Sequence, residues 1–278
     1  MSTTGVTAGA TSTHGQRVHA RSAGFWADWR TVALRALRLT WRDPEAFGPA
    51  LAIPLFFFVV NVGALQAFVE SGSRFPPGFD YKAFQLPVAV VFAVTGISRA
   101  QALVTDIQDG YLDRLLLTPV RRGTLLLGLM TADFVLILAL ATPVMLLGLA
   151  LGIHVATGIG GVLMFIAMAG FWGLGFTGFP YAIALRTGNP SAVNNSFLLF
   201  FPFAFLTTAY LPAEAMTGWL ATAVKFNPTT YLLEGMRAIL QTGWEWGQIG
   251  KGFAAIGGIA LVSFTLAFRA LAGRVKRN

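Results

Sequence analysis

Glu234 and Arg237 stand three residues apart within the stretch 230–240, a spacing that places both on one helix face and lets them pair. Such a pair stabilises a fold. Acid–base chemistry would need a second catalytic group, and Glu234 has an arginine in that place. His154 is isolated in a turn between apolar runs. Asp133 and Arg99 lie near the ends of two apolar runs, where they can snorkel to headgroups or pair, and neither needs a proton-transfer role. The 278 residues include no cysteine, which removes disulfides and cysteine-ligated zinc or iron–sulfur centres. No Gly-x-x-x-x-Gly-Lys-Ser/Thr phosphate loop occurs, and too little polar chain remains for a nucleotide-hydrolysing domain. The remaining charged cluster, Thr105-Asp-Ile-Gln-Asp-Gly-Tyr-Leu-Asp-Arg-Leu-Leu-Leu-Thr-Pro-Val-Arg-Arg122, suits docking: its acids can meet a basic groove on a partner while Leu115 and Leu116 anchor a short helix.

The elements that hold these residues are long and apolar. With 24 Phe, 7 Trp and 12% charged residues, the chain lacks the charged surface of a soluble domain of its size. Apolar runs reach the roughly 20 residues that cross a bilayer as helix. Six spans are expected, at 47–69, 84–104, 125–148, 158–185, 191–210 and 249–270. With both termini and the second and fourth loops in the cytoplasm, the outer side holds five cations, Arg74, Lys82, Lys225, Arg237 and Lys251. The rest of the 20 Lys and Arg fall inside, a positive-inside pattern. The +8 balance then reflects topology and anionic lipids, with no nucleic-acid partner.

Residues 1–24 are expected to form a disordered cytoplasmic tail, since they lack the basic-then-apolar order of a signal peptide. Residues 25–43 alternate Phe25, Trp29, Val32, Ala33, Ala36 and Leu37 with Arg30, Arg35 and Arg38 at helical spacing, which predicts an interfacial amphipathic helix. Asp43-Pro44 ends it, and 44–278 is the transmembrane domain. Between 211 and 250, Asn227 can cap a helix whose first residue is Pro228, and this segment can fold back into the outer leaflet. The fold class is therefore an all-α membrane protein, with a cytoplasmic interfacial helix, six transmembrane helices and a partly re-entrant outer hairpin before the last span.

The charged joint at 106–121 and the outer Phe226-Asn-Pro-Thr-Thr-Tyr-Leu-Leu-Glu-Gly-Met-Arg237 together resemble type-2 ABC transporter permeases, the group of antibiotic-resistance and polysaccharide-export membrane subunits. The resemblance covers the chain from Trp26 onward. It implies a bacterial inner-membrane subunit, cytoplasmic ABC ATPase partners that supply ATP and Mg2+ chemistry, and a second permease subunit, identical or homologous. This chain itself would carry no cofactor, no metal and no catalysis. The resemblance assigns Asp106, Asp109, Gly110, Asp113, Arg114 and Arg121 to a first coupling helix, and Gly188 and Asn189 to a smaller second one. Asn227, Pro228, Tyr231, Glu234 and Arg237 fall in the outer gating hairpin.

Asn194, Asn195, Phe197, Phe201 and Phe205 offer aromatic surface with a few hydrogen bonds, and in resembling permeases Phe57 and Asn61 would border the same cavity. A small hydrophobic or lipid-like substrate fits that chemistry, and an exporter of a drug-like molecule or lipid is the expected function. A glycan or glycolipid exporter is the near alternative. A membrane scaffold, a secondary transporter and a membrane enzyme each leave the paired joints unexplained or lack the ionisable groups they need.

Overall fold

A computed structural model describes residues 24–41, 47–71, 79–95, 97–116, 122–213 and 216–275. Residues 1–23 of the tail expected at 1–24, the Asp43-Pro44 break and Arg121 lie outside them. Every regular element among the described residues is helical. Among the described residues, four helices are long and apolar enough to cross a membrane, at Ala50–Ala67, Gly123–Ala150, Gly158–Thr187 and Trp246–Arg274. They belong to α2 (Phe47–Ser71), α6 (Arg122–Ala150), α7 (Gly158–Thr187) and α12 (Trp246–Val275). The chain is thus a multi-span bundle of apolar helices.

The two other expected spans are not continuous helices. The first is split into α3 (Tyr81–Val94) and α4 (Ala100–Gln108). Thr95 turns extended at ψ 133° and its hydroxyl donates back to the Val91 carbonyl at 2.6 Å, which stops α3. Ser98 Oγ then accepts from the Ala100 amide at 3.1 Å, and Asp133 of α6 accepts from the Arg99 amide at 3.0 Å, so two of the donors at the start of α4 are met. The other expected span becomes α8 (Pro190–Asn195), a 3-10 turn (Ser196–Leu199) and α9 (Phe200–Phe205), followed by irregular chain. Thr207, Thr208 and Ala209 of that irregular chain are buried, and Asn227 Nδ2 donates to the Phe203 and Leu206 carbonyls at 2.9 and 2.6 Å.

Packing follows side-chain size. α7 lies along α12 with small residues at the crossing. A Cβ on Gly178 would come 2.5 Å from the Ser263 carbonyl carbon, and Ser263 Oγ donates to the Gly175 carbonyl. One apolar cluster, around Trp172, Phe176 and Phe200, fills the end nearer α10 (Gly218–Phe226) and α11 (Pro228–Arg237). A second, around Leu103, Leu112, Leu126 and Tyr181, fills the end nearer α4, α5 (Tyr111–Leu116) and α8. These are called below the hairpin end and the joint end. α1 (Phe25–Trp41) packs on α6 at the joint end: Ala33 and Ala36 are buried, Trp29 Nε1 donates to Thr131 Oγ1 at 3.0 Å, and Gly128 leaves no room for a Cβ beside Val32.

Candidate functional site

The breaks in the two interrupted segments border one cavity of about 530 Å³. α2 presents Phe57 and Asn61 to it, α3 presents Gln85 and Phe92, and the α8–α9 run presents Asn194, Phe197, Phe201 and Phe205. Six of the residues that the sequence singled out for a cavity are therefore brought together. Asn195, at the end of α8, is exposed and is not part of this wall.

The spacing of the phenylalanines explains the wall. Residues 197, 201 and 205 recur every four positions and so share a face. Their ring centroids step by 5.4 Å and 5.6 Å, and Tyr210 continues the row 6.4 Å beyond Phe205. These four rings are exposed, whereas the neighbouring Phe200 and Ala204 are buried in the core. The result is a ladder of rings in which Phe197 stands edge-on to Phe201, and Phe201, Phe205 and Tyr210 stack. Polar groups stand at both ends of it. Gln85 Nε2 donates to Tyr81 Oη at 2.8 Å and to the Ala209 carbonyl at 3.1 Å, while at the joint end the Gln101 amide donates to Asn194 Oδ1. Asn61 spends its amide on the Phe57 carbonyl at 2.9 Å. Among the described lining residues, Tyr210 carries the one ionisable group.

At the joint end, α4 closes on Asp109, and Gly110 takes φ +68°, a left-handed turn that glycine adopts freely, to start α5. Asp109 and Arg114 are exposed. Asp106 is engaged within the chain: Arg35 of α1 reaches it at 3.4 Å and also stacks 4.3 Å above the Tyr111 ring. The side chain of Asp113 and the whole of Arg121 lie outside the described residues. The second turn is built as its sequence suggests. Gly188 caps α7 at φ +58°, and Asn189 Oδ1 accepts from the Ser191 amide at 2.9 Å, with Pro190 opening α8. The two joints touch, because Gln108 Nε2 donates to the Gly188 carbonyl at 3.1 Å. Arg35, Gln101 and Gln108 were missed from sequence, since only tertiary structure shows what they face.

At the hairpin end, Asn227 Oδ1 accepts from the Thr229 amide at 2.9 Å and caps α11 behind Pro228. Tyr231 Oη donates to the Lys225 carbonyl at 2.5 Å. Arg237 departs from the expected one-face pair with Glu234. It is 7% exposed and turns its guanidinium inward, donating to the Phe84 carbonyl at 3.1 Å, Thr208 Oγ1 at 3.0 Å and the Thr208 carbonyl at 2.7 Å. It also lies 3.5 Å over the Phe84 ring. Glu234 still acts on it electrostatically. The irregular chain after α9 offers free carbonyls, and these take the guanidinium's donors.

Asp133 likewise differs from a snorkelling carboxylate. It is fully buried and accepts from Tyr181 Oη at 2.7 Å as well as from the Arg99 amide, tying α6 and α7 to the break before α4. No group of three His, Cys, Asp or Glu that could hold a metal is found among the described residues.

Apolar helices interrupted at polar joints, around a cavity lined by rings and neutral amides, define a multi-pass membrane transport subunit. The chain belongs to the ABC-2 type transporter family, which matches residues 27–240. Over 265 residues, 93% of each chain, it is 25% identical to the daunorubicin resistance ABC transporter permease protein DrrB1 of Streptomyces coeruleorubidus. It is a non-catalytic permease subunit, and its family works with ABC ATPase subunits.

Proposed function

We propose that this permease exports a hydrophobic or amphiphilic small molecule from the bacterial cytoplasm, driven by ATP hydrolysis in separate ATPase subunits. The observation that carries the reading is the aromatic-walled cavity of about 530 Å³ bordered by both interrupted segments. Its size falls within the roughly 300–1,000 Å³ of small-molecule pockets. Its rings supply apolar and stacking surface, and its amides supply a few hydrogen bonds. The name of the similar DrrB1 protein, a daunorubicin resistance permease, supports a planar amphiphile as substrate. The same ladder of rings would also stack sugar faces, which keeps a glycan or glycolipid exporter as the second reading.

In this reading the four long helices and the two interrupted segments, α3–α4 and α8–α9, make six crossings, with α10–α11 folding back as the outer hairpin. Both termini are cytoplasmic and α1 lies along the inner leaflet against anionic lipid. Residues 1–24, 25–43 and 44–278 form the tail, interfacial helix and transmembrane domain. Asp109, Gly110, Asp113, Arg114 and Arg121 belong to the first ATPase-coupling element, Gly188 and Asn189 to the second, and Asp106 supports the first through Arg35. A second permease subunit faces the exposed sides of α2 and α9. The test is uptake of daunorubicin by inside-out proteoliposomes holding this chain with its co-purified ATPase. ATP should drive accumulation against a gradient, and uptake indifferent to ATP defeats the proposal.

A further inference from the structure

The cavity is polar at its joint end, and there two carboxamides meet across it. Gln101, in the first turn of α4, and Asn194, on α8, both line the cavity and hydrogen-bond each other. The two sides of this contact are anchored unequally. On the α4 side, Asp133 holds the Arg99 amide and the Tyr181 hydroxyl, Ser98 Oγ accepts from the Ala100 amide, and Ala100 and Leu103 are buried. On the α8 side, Val193 is buried while Pro190, Ser191, Asn194 and Asn195 are exposed, and the run from Pro190 to Phe205 passes from α to 3-10 helix and back.

A second tie, from Gln108 to the Gly188 carbonyl, sits seven residues further along α4, at the left-handed turn where α8 begins. Seven residues of helix span about 10 Å. A swing of roughly 20° about Gly188 therefore moves a group at that height by roughly 3–4 Å, enough to break a hydrogen bond between amides while the lower tie holds.

We propose that Gln101 and Asn194 form a breakable amide latch across the joint end of the cavity, and that the hydrogen-bonding head of an amphiphilic substrate displaces it as α8 swings about Gly188. Each carboxamide offers both a donor and an acceptor. A neutral head such as a hydroxyl, amide or sugar replaces the lost bond on each side, whereas an apolar molecule leaves two desolvated amides unpaired. Among the described residues no carboxylate or cation lines the wall, and selection at this end is by hydrogen bonding. The latch rests on the exporter reading and adds to it the pair that selects the substrate.

The absence of cysteine makes the test direct, because Gln101→Cys with Asn194→Cys introduces the only thiols of the chain. The double variant is reconstituted with its ATPase and oxidised with copper phenanthroline, and cross-linking is followed with and without ATP and daunorubicin. The pair should cross-link readily at rest and about tenfold more slowly with ATP and daunorubicin present, and the cross-linked complex should lose ATP-driven uptake until dithiothreitol restores it. Failure to cross-link, or full uptake by the cross-linked complex, overturns the latch while leaving the exporter reading intact. Loss of the exporter reading shows separately, as ATP-independent uptake in the cysteine-free parent protein, and cross-linking that ATP with daunorubicin does not slow overturns the latch. As a check on selectivity, Gln101→Leu should raise the half-saturating concentration of daunorubicin, a planar amphiphile with hydroxyl groups, about tenfold. It should leave that of tetraphenylphosphonium, which has no hydrogen-bonding group, in place. Equal shifts for both probes refute the selecting role.

Discussion

Replacing Arg237 with methionine tests whether the hairpin is fastened by a guanidinium on backbone carbonyls or by an ion pair. The side chain donates to the Phe84 carbonyl, the Thr208 carbonyl and Thr208 Oγ1. Methionine fills similar volume and supplies no donor. The Phe84 carbonyl lies within α3 and keeps a helical partner, and the Thr208 hydroxyl can rotate, so the lasting loss is the buried Thr208 carbonyl. An orphaned buried carbonyl costs about 1–3 kcal/mol, and the lost cation–π contact adds roughly 1 kcal/mol. Relief from burying the charge offsets some of this, leaving a net destabilisation of about 2 kcal/mol. For a domain of this size that corresponds to a fall in melting temperature of roughly 4–8 °C. Tryptophan fluorescence of the detergent-purified protein against temperature reads the shift, with Glu234→Gln as the comparison. The carbonyl account expects Glu234→Gln to cost less than half as much. If Glu234→Gln matches Arg237→Met, the ion pair carries the hairpin and the carbonyl account is wrong.

Further perturbations address the other contacts. Arg35→Asp should weaken ATP-driven uptake by severing α1 from the joint, and Asp106→Arg in the same chain should recover some of it; no recovery means that the 3.4 Å pair is incidental. Gly178→Val should reduce the yield of folded protein on size-exclusion chromatography, because its first added carbon already meets the Ser263 backbone at 2.5 Å, and a normal yield would show that α7 and α12 separate easily. Asp133→Ala should lower thermal stability by about 3 kcal/mol, since it strands the Arg99 amide and the Tyr181 hydroxyl in the core, whereas Asp133→Asn, which still accepts, should lose less than half of that. Single cysteines placed at Gly110 and at Trp219 in the otherwise cysteine-free chain should label from opposite sides of right-side-out vesicles, and labelling from one side would break the six-crossing topology.

Local signals were legible in the sequence and tertiary ones were not. Asn227-Pro228 announces its helix because cap and first residue act within three positions. Gly188 and Asn189-Pro190 announce their reversal for the same reason. The phenylalanine ladder follows from a four-residue period. By contrast, apolarity alone predicts continuous helices at 84–104 and 191–210, because nothing in a hydropathy run reveals that Asp133 will cap the break at Arg99 from another helix. The three-residue rule likewise proposed Glu234 for Arg237, yet the guanidinium found better acceptors 29 residues back, at Thr208, where the irregular chain leaves a carbonyl free. The adjacency of Asn61 and Asn194 came from family resemblance, and no spacing links Gln101 to Asn194.

The two segments that depart from simple spans are the two whose breaks border the cavity, and this has a physical reason. A continuous apolar helix satisfies its own backbone and has one stable position in lipid. A break exposes amides and carbonyls that must be met from elsewhere, and each partner becomes a mechanical link: Asp133 from α6, Asn227 from the start of α11, Arg237 from its end. Breaking the helices beside the cavity therefore ties its wall to α6 and to both ends of α11 through hydrogen bonds worth about 1–3 kcal/mol each. Such links hold a resting geometry, and they are weak enough for movement at the joint end to rearrange. Two continuous spans in the same places would line a cavity of similar apolarity and would have no comparable route for the joints to move its wall.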